Sequence, residues 1–426
     1  MFKSIALPKG QSAILLIAIV AVLAGIALRL VWPLDIEYKR DEQWTFEHAQ
    51  AVAAGQPLPS VGMATSFGPP NPGLSLWFFA GLAQIGKVGT PPELARRVQW
   101  LNAAALVLFL LFARTAVEEA RREMWLWATA LWAVNPFAII YERKIWPPSV
   151  LPIFTVVFIA SWWHRRYFPA AILWGAVGAL MAQMHIAAGF LSVSLALWTL
   201  YTDRRLSPLM GWLIGSLIGS IPAWPWLFDL AAGHHQSFAE LRLPLLHFYL
   251  RWPTQPFGLG LGFFKGEETL RFLAWPLVAG VPTYIVALLH AVLAGLFVWM
   301  WALVFATIRQ RGLPRRTVFI GDSPETVLFN ASVWGYGGVL TVLSATGLVS
   351  ARQYLIVVAP MMALWAAWLV IEWAAPQNRR RARHLLAAFC IAQAAISTCL
   401  LAYIDSRQIL RGDYGATWQS QQPVSP

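Results

Sequence analysis

Apolar stretches dominate the chain and polar ones interrupt it at intervals. Runs long enough to cross a bilayer, or nearly so, occur at about Ala13 to Trp32, Val98 to Ala113, Trp125 to Tyr141, Val150 to Trp163, Ala170 to Gln183, Ile186 to Tyr201, Leu209 to Phe228, Thr283 to Ile308, Val327 to Leu348, Tyr354 to Trp373 and Leu385 to Tyr403. At about 20 residues per span this pattern predicts an all-α polytopic membrane protein of about eleven transmembrane helices. One further apolar segment, Leu74 to Ile85, is too short to cross and suits a helix lying at the interface. The first run is too long for a cleavable leader and is expected to stay as the first helix.

The pattern divides the chain into a first helix (1–32), an external loop with interfacial helices (33–97), a helical core (98–228), a second external loop or lid (229–282), a last group of helices (283–404) and an external tail (405–426) whose final residues are expected to fray. Charge fixes the orientation. If Leu74 to Ile85 does not cross and the amino terminus is cytoplasmic, the clusters Arg114/Arg121/Arg122, Arg165/Arg166, Arg204/Arg205, Arg309/Arg311/Arg315/Arg316 and Arg379/Arg380/Arg381/Arg383 all face the cytoplasm, as the positive-inside rule demands. Most acids then fall outside. A net charge of +12 made of such clusters is a topology signal, and it argues against a nucleic-acid partner. The two cysteines, Cys390 and Cys399, share one apolar run and cannot make a metal site alone.

Chemistry is therefore sought on the outer face, first in the loop after the opening helix. There the segment DEQWTFEHAQAVAAG reads as a short amphipathic helix ending at Gly55, with Asp41 at its start. Two roles fit Asp41: a cap on that helix, or a general base held at the lipid boundary. Arg143 and Lys144 sit on a very short external turn and Arg352 on another, where each could snorkel to headgroups or hold an anionic phosphate. Gln183 and His185 interrupt an apolar passage and need either an interhelical partner or a cavity. The adjacent pair His234 and His235 is poorly spaced for a metal and suits a solvated loop.

These residues carry a resemblance. Trp32-Pro33, Asp41-Glu42, Gly55-Gln56-Pro57-Leu58-Pro59 and Pro69-Pro70 ahead of Leu74 resemble the first external loop of the GT-C glycosyltransferases, nearest the branch with aminoarabinose transferases and protein O-mannosyltransferases. Arg97, Asn135-Pro136, Tyr141 to Trp146, Gln183 with His185, and Arg352-Gln353-Tyr354 extend it. The resemblance implies an enzyme of a bacterial inner membrane with its active site facing the periplasm. It would move a sugar from a polyprenyl-phosphate carrier to a hydroxyl acceptor (lipid, glycan or protein) with inversion. It places the catalytic carboxylate on Asp41, with Glu42 or Glu142 assisting, donor phosphate binding on Arg143, Lys144, Arg352 and Tyr354, and substrate-cavity contacts on Gln183, His185 and Trp44. No metal ligands are assigned, and a divalent cation is left open. The chain departs from the family pattern at Trp44-Thr45-Phe46, at Phe67-Gly68 and at Pro147-Pro148-Ser149, where a second acid is expected and Glu142 is the substitute. Two other classes compete: a lipid or sugar transporter, which would gather ionisable groups at mid-membrane, and a scaffold that keeps the fold without its chemistry.

Overall fold

The computed structural model describes residues 9–64, 70–232, 246–260, 262–312, 321, 323–345 and 352–423. His234, His235, Phe67, Gly68, Arg315 and Arg316 lie outside them. All eleven apolar runs are mainly helical in their described parts. Among the described residues, seven helices are long and apolar enough to span by themselves: α1 (Lys9–Leu30), α4 (Pro91–Thr115), α9 (Ile186–Asp203), α14 (Ile285–Arg311), α15 (Pro324–Ser344), α16 (Arg352–Ala374) and α17 (Arg379–Arg407). An eighth would be the pair α10 (Ser207–Gly219) and α11 (Trp224–Ala231), bent by 41°. The three remaining runs give shorter helices: α5 (Glu119–Val134), α7 (Leu151–Trp163) with a preceding 3-10 turn, and α8 (Phe168–Met184). The 17 residues of α8 reach about 25 Å at 1.5 Å each, a little under a hydrocarbon core.

The segment between α1 and α4 carries two short helices, α2 (Arg40–Ala53) and α3 (Leu74–Gln84), which pack on each other. Gly55, with φ of 104°, follows α2 as the sequence predicts. Eleven residues make α3 far too short to cross. In its described residues the segment from 229 to 282 is partly helical. After α11 it contains α12 (His247–Arg251), α13 (Glu267–Ala274) and a small antiparallel hairpin of β1 (Leu277–Val278) and β2 (Val281–Pro282).

At the centre stands α5, buried on every side from Met124 to Val134 and packed against α1, α4, α16 and α17. Trp125, Trp127 and Trp132 are among its fully buried side chains, so the helix is apolar all round as a core helix must be. Asn135 and Pro136 end it. The Asn135 carboxamide oxygen accepts from the Phe137 and Ala138 amides at 3.0 and 3.2 Å and so caps the short α6 (Pro136–Tyr141). Its nitrogen donates to Gln255 O and Gln393 Oε1, both at 2.7 Å, which fixes where the following turn can go.

A second device is the α8–α10 pair. A Cβ on Gly175 would lie 1.9 Å from the Trp212 carbonyl oxygen, and one on Gly215 would lie 1.9 Å from that of Ile172. The two backbones touch there, as small residues permit in apolar surroundings. At one end of the bundle, arginines from the clusters meet acids: Arg383 holds Glu123 with two bonds of 2.8 and 2.9 Å, and Arg121 meets Glu325 at 3.1 Å. The opposite end carries the short helices and the site.

Candidate active site

The chain leaves α1 through Arg29, which is wholly buried. Its guanidinium donates to Glu142 Oε2 at 2.7 Å and to the carbonyls of Gly25 and Ala133 at 2.9 and 2.7 Å; Trp132 Nε1 donates to the other Glu142 oxygen at 3.0 Å. Glu142 is itself wholly buried and lines neither cavity described below. It is therefore corrected from catalytic assistant to partner in a buried ion pair. A charge so desolvated holds only if nearly all of its bonds are made, and here they are.

Arg143 needs the same correction. It is 1% exposed, pairs with Asp35, and donates to the Leu28 and Trp32 carbonyls at 2.8 and 3.0 Å, so it ties the turn to the end of α1 rather than facing a ligand. Gln183 bridges helices, donating to Ala179 O at 3.0 Å and to Gly219 O at 2.7 Å, and lines neither cavity. Trp44 stacks on His48 one turn further along α2, with ring centroids 4.1 Å apart, and is also away from both. In each case the sequence shows the polar or aromatic group and hides the partner that absorbs it.

Asp41 is different. The N-cap of α2 is Lys39, so Asp41 is the second residue of the helix and not its cap. Its side chain is exposed and, among the described residues, makes no hydrogen bond or ion pair. The positive end of the helix dipole favours a carboxylate there. Glu42, one residue on, is buried and accepts from the Lys39 amide at 3.4 Å. Burial pushes its carboxyl up to about 8, more than the Lys39 charge can offset.

Two cavities adjoin at Asp41. One, of about 620 Å³, is lined by Lys39, Lys144, Arg251, Lys265 and Arg352, with Asp41, Glu42 and Asp413 among them. The other, of about 360 Å³, is mainly apolar, with Met63, Ile186, Phe190 and Leu343 in its wall and Asn71, His185 and Tyr354 as polar points. Asp41, Trp146 and Gln353 line both.

Within the larger cavity Lys144 is held by Glu37 and lies 4.8 Å from the Tyr141 ring centroid. Burial pulls its ammonium down to about 7, while the charge of Asp413 opposes that shift. Arg352 is 7% exposed, stacks over Phe263 at 4.7 Å, and has no hydrogen-bond partner for Nε or one terminal nitrogen among the described residues. Such buried donors are costly unless an anion meets them. A Cβ on Gly262 would come within 2.2 Å of that guanidinium, so the backbone there lies directly against it. In the smaller cavity the rings of His185 and Tyr354 meet edge to face at 5.0 Å, and His185 Nδ1 is buried without a hydrogen-bond partner among the described residues.

The structure thus brings together Asp41, Glu42, Lys144 and Arg352 on one side, and Asp41, His185 and Tyr354 on the other. Tyr354 consequently faces the apolar cavity and not the cationic one. Sequence reasoning missed Lys39, two residues before Asp41, and Asn71, Lys265 and Asp413, which reach the cavities through long-range folding. Among the described residues no group of three or more His, Cys, Asp or Glu side chains could hold a metal ion.

No protein-family model and no curated protein sequence matches the chain. Solved structures do. ArnT from Cupriavidus metallidurans in its apo state matches with a TM-score of 0.55 at 11% identity over 93% of this chain and 77% of that one. The same protein bound to undecaprenyl phosphate matches at 0.54 and 12%, over 93% and 78%. The oligosaccharyltransferase of Archaeoglobus fulgidus matches at 0.46 and 13%, over 95% of this chain and 56% of its own. The likeness to ArnT is one of fold: this all-α polytopic chain follows the helical course of that protein.

Proposed function

We propose that the protein is a glycosyltransferase of the inner membrane that moves a sugar from a polyprenyl-phosphate carrier to a hydroxyl acceptor at the periplasmic face. The observation that carries this reading is the free carboxylate of Asp41, shared between a cationic cavity and a mainly apolar one. A carrier of the kind bound to ArnT would place its phosphate among Lys39, Lys144 and Arg352. Asp41 takes the proton of the acceptor hydroxyl as its oxygen attacks the anomeric carbon from the face away from the phosphate. The bond from that carbon to the phosphate oxygen breaks, the electron pair leaves on the carrier phosphate, and the configuration inverts. The cationic side chains are already in place for the charge that the leaving phosphate gathers, which is where preorganised groups lower the barrier. The acceptor enters through the cavity with Asn71, His185 and Tyr354.

Glu42 supports this chemistry as a neutral acid at pH 7, because burial keeps it protonated. It therefore leaves Asp41 as the one carboxylate at the helix start that is free to take a proton. The test is Asp41→Asn in purified protein with a panel of polyprenyl-phosphate sugars and hydroxyl acceptors. Transfer is expected to fall by a factor of about 10² or more. Full transfer by the variant sinks the assignment.

A further inference from the structure

After α17 the chain turns into a hairpin that the sequence does not announce. Leu410 N donates to Gly415 O at 3.0 Å and Thr417 N to Gln408 O at 2.9 Å, closing residues 408–417 on themselves. Both flanks are then used. One pairs with the segment between α1 and α4, through Tyr38 N to Ala416 O at 3.0 Å and Trp418 N to Ile36 O at 2.9 Å. The tip pairs with the segment from 229 to 282, through Lys265 N to Arg411 O and Asp413 N to Phe263 O, both at 2.9 Å.

Asp413 is therefore held by its main chain on both sides, since its carbonyl also accepts from Lys39 Nζ at 2.6 Å. Its carboxylate stays 38% exposed at the cationic cavity, and the ion pair it makes, with Lys265 at 3.7 Å, is to a side chain 75% exposed. Such a loose surface pair does little to hold either group. A fixed acid in a cavity meant for a phosphate is unfavourable to that phosphate, because like charges repel. It is favourable to a neutral polyol, because a carboxylate accepts hydroxyl protons with both oxygens. Asp41 is taken by the acceptor and Glu42 is buried at the helix start, which leaves Asp413 without a part in the transfer as written.

We infer that the hairpin is a wall of the donor cavity and that Asp413 is a specificity residue in it, bonding hydroxyl groups of the transferred sugar beside the cationic side chains that take the phosphate. The inference rests on the proposed sugar transfer and names which end of the donor lies where. Lys144 and Arg352 hold the phosphate end, and the hairpin reads the sugar.

The two ends of the donor give the test opposite signs. Binding of bare undecaprenyl phosphate and of undecaprenyl-phosphate hexoses is measured on the full chain in detergent, for wild type, Asp413→Ala and Asp413→Asn. For carriers bearing a sugar, Asp413→Ala is expected to weaken binding about tenfold, the scale of hydrogen bonds to a charged group. The bare carrier should bind no more weakly than to wild type, because a repelling charge has gone. Asp413→Asn, which keeps a hydroxyl partner and the main-chain bonds, should fall between for the sugar carriers. With the donor that wild type turns over, the alanine variant should raise KM and narrow the preference for that donor over its deoxy analogues. Equal weakening of bare and sugar-bearing carriers by both variants would reduce the residue to a structural part and overturn the inference, and so would no change in either. A wild type that binds both carriers and transfers no sugar removes the proposed function, while the comparison of carriers still decides the place of Asp413.

Discussion

Asp41 and Glu42 are adjacent, share a helix start, and have opposite surroundings. The Asp41 side chain is exposed and, among the described residues, has no hydrogen-bond or ion-pair partner. Its replacement by Asn should therefore leave thermal stability within about 0.5 kcal/mol while removing transfer; a melting curve and a turnover assay on one preparation check both halves. Glu42 should behave in the reverse way. Its carboxyl is raised by burial from 4.5 to about 8, so the folded protein holds a proton that the unfolded chain has already released. Unfolding then releases a proton throughout that interval, and stability falls as pH rises from about 4.5 to about 8. Above about 8 the contribution levels off. Glu42→Gln removes the titration, so the difference in melting temperature between variant and wild type should grow in favour of the variant across that window. A difference that is constant with pH would show that Glu42 is not the buried acid drawn here.

At the scale of elements, the turn from α6 to α7 shows what the sequence can and cannot reveal. The helices themselves were legible, because a bilayer requires long apolar runs and each such run is mainly helical. Asn135-Pro136 lay inside the run read as continuous from Trp125 to Tyr141, and the structure breaks the helix there, with Asn135 as the cap of α6. Of the charges after it, Glu142 and Arg143 could not be told from Lys144, which does reach the cavity, because the three look alike in a list of residues. Their roles differ only through partners in other elements: Arg29, hidden within the first apolar run, takes Glu142; Asp35 takes Arg143; Glu37 takes Lys144 and leaves it in the cavity. Glu142→Ala strands a buried arginine and should destabilise by about 3–5 kcal/mol. Replacing both partners with apolar residues, Arg29→Met with Glu142→Leu, should recover most of that loss and retain transfer. Chemical denaturation of the three variants separates the cases, since a catalytic Glu142 would leave the double variant folded and inactive.

Across the whole molecule, three pieces that are far apart in sequence close over one end of the helix bundle. The first loop brings Lys39 and Asp41, the short turn brings Lys144, and the start of α16 brings Arg352. The hairpin after α17 joins the first loop to the segment around Phe263. No periodicity or motif signals this closure, because its bonds pair backbone groups hundreds of residues apart. The consequence is that phosphate binding and global stability are linked. A ligand that binds only the folded chain stabilises it by about 2.7 kcal/mol at a hundred times its dissociation constant. Undecaprenyl phosphate should accordingly raise the melting temperature in detergent. Arg352→Ala should abolish most of that rise, because the buried Nε and terminal nitrogen it carries lack a partner among the described residues and an anion supplies one. Arg143→Ala makes the contrast. Its loss breaks the contact with Asp35 and should lower the melting temperature of the free protein, yet the increment that the lipid adds should persist, since Arg143 does not line the cavity. If the increment vanishes with Arg143 and survives loss of Arg352, the phosphate sits at the turn and the cationic cavity has been assigned to the wrong ligand.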